Sequence, residues 1–235
     1  MFWTPIAFIG LAGLVTLFVV STDGRYFGKK VSYLMYNQLG PLRFFSSRDN
    51  RKWEALISLL DLGNARKVLD VGTAVGRLPL IMAQERGFDG EVIGVDWSHR
   101  MIGIARSKAQ ELGLEERVGF QVLDVRRGLP FETGAFDIDL CLGLLETLQE
   151  PGDVLAELAR VAADGATIVL SFYHGAKAWG YSIPYEWYLR NLASLGLDVV
   201  DRVNYGSKYD FVVARARTVI PLFSSARNPR GFAAG

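Results

Sequence analysis

The stretch VLDVGTAVGRLPL, residues 68–80, constrains the fold more than any other part of the chain. An apolar run ends in an aspartate, breaks into glycines, and turns into a helical pattern. That order opens a strand–turn–helix unit of a parallel sheet. The alternation continues around it. NRKWEALISLL reads as an amphipathic helix, KVLDV as a strand, RLPLIMAQERG as a helix, EVIGVD as a strand, and SHRMIGIARSKAQELG as a helix ending on a glycine cap. RVGFQVLDV and AFDIDLCLG follow as strands, then GDVLAELARVAADG as a helix and ATIVLSFY as a strand. Continuous apolar strands separated by helices imply a parallel sheet covered on both faces. The end departs from this: LDVVDRVNYG and DFVVARAR are separated by a few turn residues around Gly206 and Ser207, room for a hairpin but no crossover helix. The expectation is an α/β, Rossmann-like, doubly wound sheet of seven mostly parallel strands, closed by a C-terminal antiparallel hairpin.

A second constraint lies ahead of that domain. From Phe2 to Val20 there is no charged residue, and Thr4 and Thr16 are the only polar side chains. As a helix this segment would measure roughly 28 Å, close to the hydrocarbon core of a bilayer at about 30 Å. Pro5 falls in its first turn, and Phe2 and Trp3 sit where an aromatic interface anchor would. The reading is one transmembrane helix. A cleaved signal peptide and a hairpin dipping into one leaflet are the alternatives; the first is disfavoured because no lysine or arginine precedes the apolar run. Positive charge follows instead, at Arg25, Lys29, Lys30, Arg43, Arg48, Arg51 and Lys52, against Asp23 and Asp49. That bias places the main domain on the cytoplasmic side of a single-pass protein. Interleaved with Tyr26, Phe27, Phe44, Phe45 and Trp53, the same stretch could lie on an anionic leaflet or serve as a solvated linker.

The expected organisation is therefore a membrane anchor at 1–21, a basic and aromatic juxtamembrane segment at 22–49, one domain at 50–217 and a tail at 218–235. A chain of 235 residues carrying a formal charge of +1 is long enough for one sizeable core and shows no globally basic surface for nucleic acid. The single cysteine, Cys141, excludes an intrachain disulfide and any multi-cysteine metal site, and its apolar surroundings read as core. No metal site is expected.

In open α/β sheets the ligand sits beyond the C-terminal strand ends, and the first turn supplies backbone to it. Gly72 and Gly76 mark where the chain must bend tightly or let a ligand approach, and Asp70 adds an acceptor. Asp96 ends the second strand twenty residues after Gly76, the spacing at which an acid can accept ribose hydroxyls, and Trp97 beside it offers a flat face to a purine. A nicotinamide dinucleotide fits the acid but not the turn, which has Arg77 at the third glycine position; no Gly-Lys-Ser/Thr follows to cradle phosphates. A nucleoside without phosphates, cationic or zwitterionic, suits these charges better.

In these motifs the chain resembles the class I S-adenosylmethionine-dependent methyltransferases, in the branch that methylates quinones, sterols and other small or lipidic acceptors, over roughly residues 50–216. The resemblance implies S-adenosylmethionine as cofactor. It places Asp70, Gly72, Thr73 and Gly76 at the methionine part, Asp96 on the ribose, and Trp97 and Met101 around adenine. Asp124 and Val125 would lie near the adenine amino group, and Gly143 and Leu144 beside the methionine moiety. The family's second glycine is Ala74 here, which narrows the turn.

Methyl transfer from a sulfonium needs mainly a near-attack placement of the acceptor. A phenol, enol or carbon acceptor also needs a base, for which His174, Tyr173 and Glu146 are the candidates. His174 also reads as a surface loop histidine, and His99 is assigned a structural place. The aromatic segment YHGAKAWGYSIPYEWYLR, 173–190, reads either as acceptor pocket or as helix packing. The functional expectation is a membrane-anchored methyltransferase acting on a hydrophobic small molecule or lipid of quinone, sterol, isoprenoid or phospholipid type. The alternatives are an inactive, cofactor-binding, membrane-tethered assembly factor, a methyltransferase acting on protein or RNA, and a dinucleotide-dependent reductase.

Overall fold

The computed structural model describes residues 31, 33–34, 36–38, 40–41, 51–174, 183–204 and 209–218. The expected membrane helix, most of the juxtamembrane segment and nearly all of the tail lie outside the described residues. Among the described residues no helix is long and apolar enough to cross a membrane.

A seven-stranded sheet organises the chain: β1 (Lys67–Val71), β2 (Glu91–Asp96), β3 (Val118–Val122), β4 (Phe136–Cys141), β5 (Ala162–Tyr173), β6 (Leu197–Asn204) and β7 (Tyr209–Ala216). Their order across the sheet is β3-β2-β1-β4-β5-β7-β6. β1 through β5 run parallel, and β7 is antiparallel to both β5 and β6. The terminal hairpin is thus present, with its second strand inserted against β5. Chain order reverses between β1 and β4, so the crevice of the switch point opens above their C-terminal ends.

Helices α1 (Arg51–Ile57), α2 (Arg77–Gln84), α3 (His99–Leu112), α4 (Pro151–Val161) and α5 (Tyr185–Ser194) cover the sheet. On one side Leu56, Ile57 and Met82 of α1 and α2 pack on Val68, Val92, Ile138, Leu140 and Phe211. On the other, Val154, Leu155 and Leu158 of α4 and Tyr188 and Leu192 of α5 pack on Leu69, Cys141, Ile168 and Val212. Cys141 is fully buried, as its apolar surroundings predict. α3 starts where Ser98 accepts a hydrogen bond from the Met101 N–H at 3.1 Å and stops at left-handed Gly113, the expected glycine cap. α4 ends sooner than its apolar pattern predicts. Residues from Ala162 on belong to β5, because Ala162 pairs with Phe136 ahead of an irregularity in the β4–β5 register.

Asp139 is an anomaly in this core. It lies on β4 between Leu69 of β1 and Ile168 of β5, is 0% exposed, and neither carboxylate oxygen has a hydrogen-bond partner among the described residues. Burial, with the charge of Asp137 added, pushes its carboxyl well above the ordinary range, so it is held as the neutral acid. An unsatisfied buried polar group costs about 1–3 kcal/mol. Asp139→Val, which suits a strand between two aliphatic neighbours, is expected to raise stability by that amount. Urea unfolding checks this: the midpoint should rise at constant slope, and a fall would show that the carboxyl is satisfied in solution.

Candidate functional site

The C-terminal ends of β1, β2, β4 and β5 meet along one edge, and the sequence-selected acids converge there. After β1 the turn is pinned to β2 by the Gly72 and Thr73 N–H groups, which both donate to the Val95 carbonyl at 2.8 and 3.0 Å. Gly76 adopts φ +71, and a Cβ there would run into the Phe120 ring and Ala105. Its glycine is thus required by the bend and by packing under the turn, rather than by approach of a ligand. Ala74 is the one non-glycine among the described residues with positive φ, at 50°. A left-handed alanine is strained by about 1–2 kcal/mol, and its N–H donates to Asp96 Oδ2 at 2.9 Å, which holds it there.

Asp96 is the hub of the edge. Oδ1 accepts from the Ser98 N–H at 2.9 Å, and Oδ2 accepts from both the Ala74 N–H and the Tyr36 hydroxyl, each at 2.9 Å. Burial raises its carboxyl above the ordinary value despite these donors. Asp70, also buried, is lifted to about 7, first by desolvation and further by the charge of Asp96. Among the described residues neither acid has a cationic partner. The buried Thr73 hydroxyl beside Asp70 opposes that rise by hydrogen bonding to its carboxyl.

Residues 31–41 supply contacts that the sequence reading missed. Their described positions are helical and lie against the start of α3. Besides Tyr36 on Asp96, the Ser98 hydroxyl donates to Asn37 Oδ1 at 2.6 Å, and Arg100 donates to the carbonyl and side chain of Gln38. Tyr33 meets Trp97 edge-on at 5.2 Å between centroids. The signal in sequence was the polar, aromatic YNQ in an otherwise apolar stretch. The Trp97 face expected to be free is covered by the Arg126 guanidinium at 4.7 Å, and Asp124 holds Arg126 through bonds of 2.6 and 2.7 Å. Met101 is fully buried with Ala74 and Val75, and Val125 is buried in the main core. Leu144 flanks the turn, since a Cβ at Gly72 would lie 3.3 Å from its side chain. His99 is exposed at the α3 start, in keeping with its structural assignment.

On the β4–β5 side, Glu146 is buried and accepts from the Ser171 hydroxyl at 2.8 Å, while Ser171 Oγ accepts from the Gly143 N–H at 2.7 Å. Desolvation lifts Glu146 to about 7, against the hydrogen bonds from Ser171 and the buried Tyr188 hydroxyl. The Tyr173 hydroxyl hangs over Gly143, 3.4 Å from where a Cβ would stand. His174 follows β5 and bonds through Nε2 to Asp210 of β7 at 2.9 Å. Residues 175–182 of the aromatic segment lie outside the described residues, and its last six residues, 185–190, begin α5.

The sequence of residues 62–182 matches the family described as a methyltransferase domain. Ajmaline N-methyltransferase of Rauvolfia serpentina is 37% identical over 105 residues, 45% of this chain and 35% of that one. Phosphatidylethanolamine N-methyltransferase of Cereibacter sphaeroides is 36% identical over 110 residues, 46% of this chain and 51% of that one. Demethylmenaquinone methyltransferase of Thermus thermophilus is 31% identical over 165 residues, 67% and 73%. The chain spans about a third to a half of the length of the first curated relatives it matches. Magnesium protoporphyrin IX methyltransferase of Synechocystis, solved with bound SAH, shares the fold at a TM-score of 0.66 and 20% identity over 80% of this chain and 98% of that one.

The buried acids set a pH signature. Asp70 ionises near pH 4 in the unfolded chain and at about 7 in the folded one, so unfolding releases a proton between those values. Stability of the ligand-free protein should fall as pH rises from 4 to 7 and level off above, with on the order of 4 kcal/mol at stake for this group. Calorimetric melting across that window should show the fall, and Asp70→Asn should remove about one proton's share of the slope. An unchanged slope in the variant would place the titration elsewhere.

Proposed function

The chain belongs to the class I S-adenosylmethionine-dependent methyltransferases, and from that membership we propose that it transfers a methyl group from S-adenosylmethionine to a small hydrophobic acceptor of quinone or lipid type, working as a membrane-anchored enzyme. The observation that carries the cofactor reading is the pair of buried acids, Asp70 and Asp96, at the switch-point edge with no cation among the described residues. A ligand bearing a sulfonium, an α-ammonium and ribose hydroxyls meets what they lack. Asp70, Thr73 and the 72–76 turn would hold the methionine part, with Gly143 and Leu144 beside it. Asp96 would take the ribose, where the Tyr36 hydroxyl already marks an occupied acceptor. Trp97, Met101, Asp124 and Val125 would border adenine, with Arg126 shifting to clear the Trp97 face.

When bound, the cofactor supplies a methyl group on a good leaving group. The chain's own task is to hold the acceptor in line and to take up a proton where the acceptor carries one. The apolar segment Phe2–Val20 and the basic residues behind it support a single-pass anchor with the domain facing the cytoplasm. Relatives named for phosphatidylethanolamine and demethylmenaquinone support an acceptor drawn from the bilayer.

Two measurements test this. Titration calorimetry with S-adenosylhomocysteine should give micromolar binding to the wild type. Asp96→Ala should lose roughly tenfold or more, the worth of a hydrogen bond to a charged group. A folded wild type that binds nothing would retire the enzyme reading in favour of a tethered assembly factor. For the acceptor, the full chain is incubated with methyl-labelled cofactor and vesicles of bacterial total lipid extract. Label should partition into the lipid phase; label confined to water-soluble products would overturn the bilayer-acceptor reading.

A further inference from the structure

The end of β5 carries a chain of polar contacts that cofactor binding does not use. Asp210 of β7 is 2% exposed in spite of its charge. Its Oδ1 lies 2.9 Å from His174 Nε2, and its Oδ2 accepts from Arg202 Nε at 2.7 Å. The Arg202 guanidinium stacks over the rings of Phe172 at 4.7 Å and Tyr185 at 4.5 Å, so aromatic walls from β5 and α5 set its position. Phe172 also lies 6.0 Å from the His174 ring. The register explains the meeting: Asp210 pairs with Phe172 across the β5–β7 ladder, one residue from the strand end that His174 follows.

Burial acts to raise the Asp210 carboxyl, but the bonds from Arg202 and His174 outweigh it and leave the group below its ordinary value. Asp210 is therefore an anion at neutral pH, and an anionic carboxylate only accepts hydrogen bonds. The bond to His174 then requires the hydrogen on Nε2, which leaves the lone pair of the neutral ring on Nδ1. His174 keeps 28% of its side chain accessible and Arg202 39%, while Asp210 between them keeps 3%, so the imidazole is the accessible group of the trio that can accept a proton. Among the described residues, the charged and titratable groups around the pair are Arg202 from β6, Tyr185 from α5 and Tyr173 on β5.

We propose that Asp210, clamped by Arg202, is a positioning residue that fixes His174 as the Nε2–H tautomer, so that Nδ1 receives the proton of a phenolic or enolic acceptor. The use of that proton site rests on the methyltransferase reading; the tautomer does not. As the acceptor oxygen bonds to the methyl carbon and the carbon–sulfur bond breaks with its electron pair going to sulfur, the O–H proton passes to Nδ1 and from there to water.

Asp210→Asn separates charge from shape. Arg202 can only donate, so it claims the amide oxygen, the amide NH2 turns to His174 Nε2, and the ring hydrogen is forced onto Nδ1. Long-range proton–nitrogen NMR of the full chain reads this directly, with His99→Gln assigning the two histidines. The wild type should show Nε2–H and Asp210→Asn should show Nδ1–H. Methyl transfer into vesicles of bacterial total lipid extract should fall roughly a hundredfold or more in kcat, with S-adenosylhomocysteine affinity unchanged and Asp210→Glu restoring part of the rate. The same tautomer in both proteins, or full turnover by Asp210→Asn, overturns the proposal. If Asp210→Asn does not fold, His174→Gln, which keeps the Arg202–Asp210 pair, must lose the rate instead, and undiminished turnover overturns it equally. Failure of the methyltransferase reading itself would appear as wild type that binds no S-adenosylhomocysteine, a result independent of the tautomer.

Discussion

The site depends on one carboxylate. Asp96 closes β2 and, through hydrogen bonds each 2.9 Å long, gathers the strained Ala74 of the β1 turn, the Ser98 N–H at the head of α3 and the Tyr36 hydroxyl of residues 31–41. Three pieces of chain distant in sequence are thereby fastened to a single anion. Burial penalises that anion, and the donors pay part of the penalty back. The balance explains how an alanine survives at a backbone angle that favours glycine: the N–H it must present is bonded to a charge, a stronger bond than one between neutral groups.

Most of the sheet could be read from sequence because parallel strands buried on both faces declare themselves as apolar runs, and KVLDV, EVIGVD and FDIDLC do so without ambiguity. Boundaries set by pairing could not. Nothing in AADG distinguishes a helix end from a strand start until Phe136 is known to face Ala162. The acids of the edge were legible for the same reason that the glycines were, since a charge at the end of an apolar run needs an explanation. The basic and aromatic stretch ahead of residue 50 was legible as a cover for the site, but not which of its side chains make the contacts. The contact of Tyr36 with Asp96 spans sixty residues, and the stacking of Arg126 on Trp97 depends on how a short turn is folded. Asp210 and Arg202 escaped notice because each looks like a polar position of a half-exposed hairpin, and only the insertion of β7 against β5 buries one beneath the other.

Buried and half-buried carboxyls recur through the domain, and their fates differ with their neighbours. Asp137 is satisfied by the Arg66 and Lys67 N–H groups at 2.8 and 3.0 Å, Asp210 by a guanidinium and an imidazole, and Asp96 by three donors. Asp70 and Glu146 sit where desolvation wins and hold their protons to about pH 7. Among the described residues Asp139 has no hydrogen-bond partner. The sorting follows the donors within reach: Asp96 ends its strand beside free backbone N–H groups and Asp210 meets two side-chain donors, whereas Asp139, in the middle of a central strand, faces a ladder whose hydrogen bonds are already made.

The placement of β7 between β5 and β6 has a consequence for how the protein is made. On the ribosome, β1 to β5 emerge and can pair in turn, but the outer edge of β5, with its IVLSF run, stays open until residues 209–216 have been synthesised. During that interval the nascent domain carries an unpaired apolar strand edge, the kind of surface on which two unfinished chains add to one another. The strand that ends this exposure is also the one that delivers Asp210, so the removal of a sticky edge and the completion of the polar trio at the mouth of the site happen in the same event of chain closure.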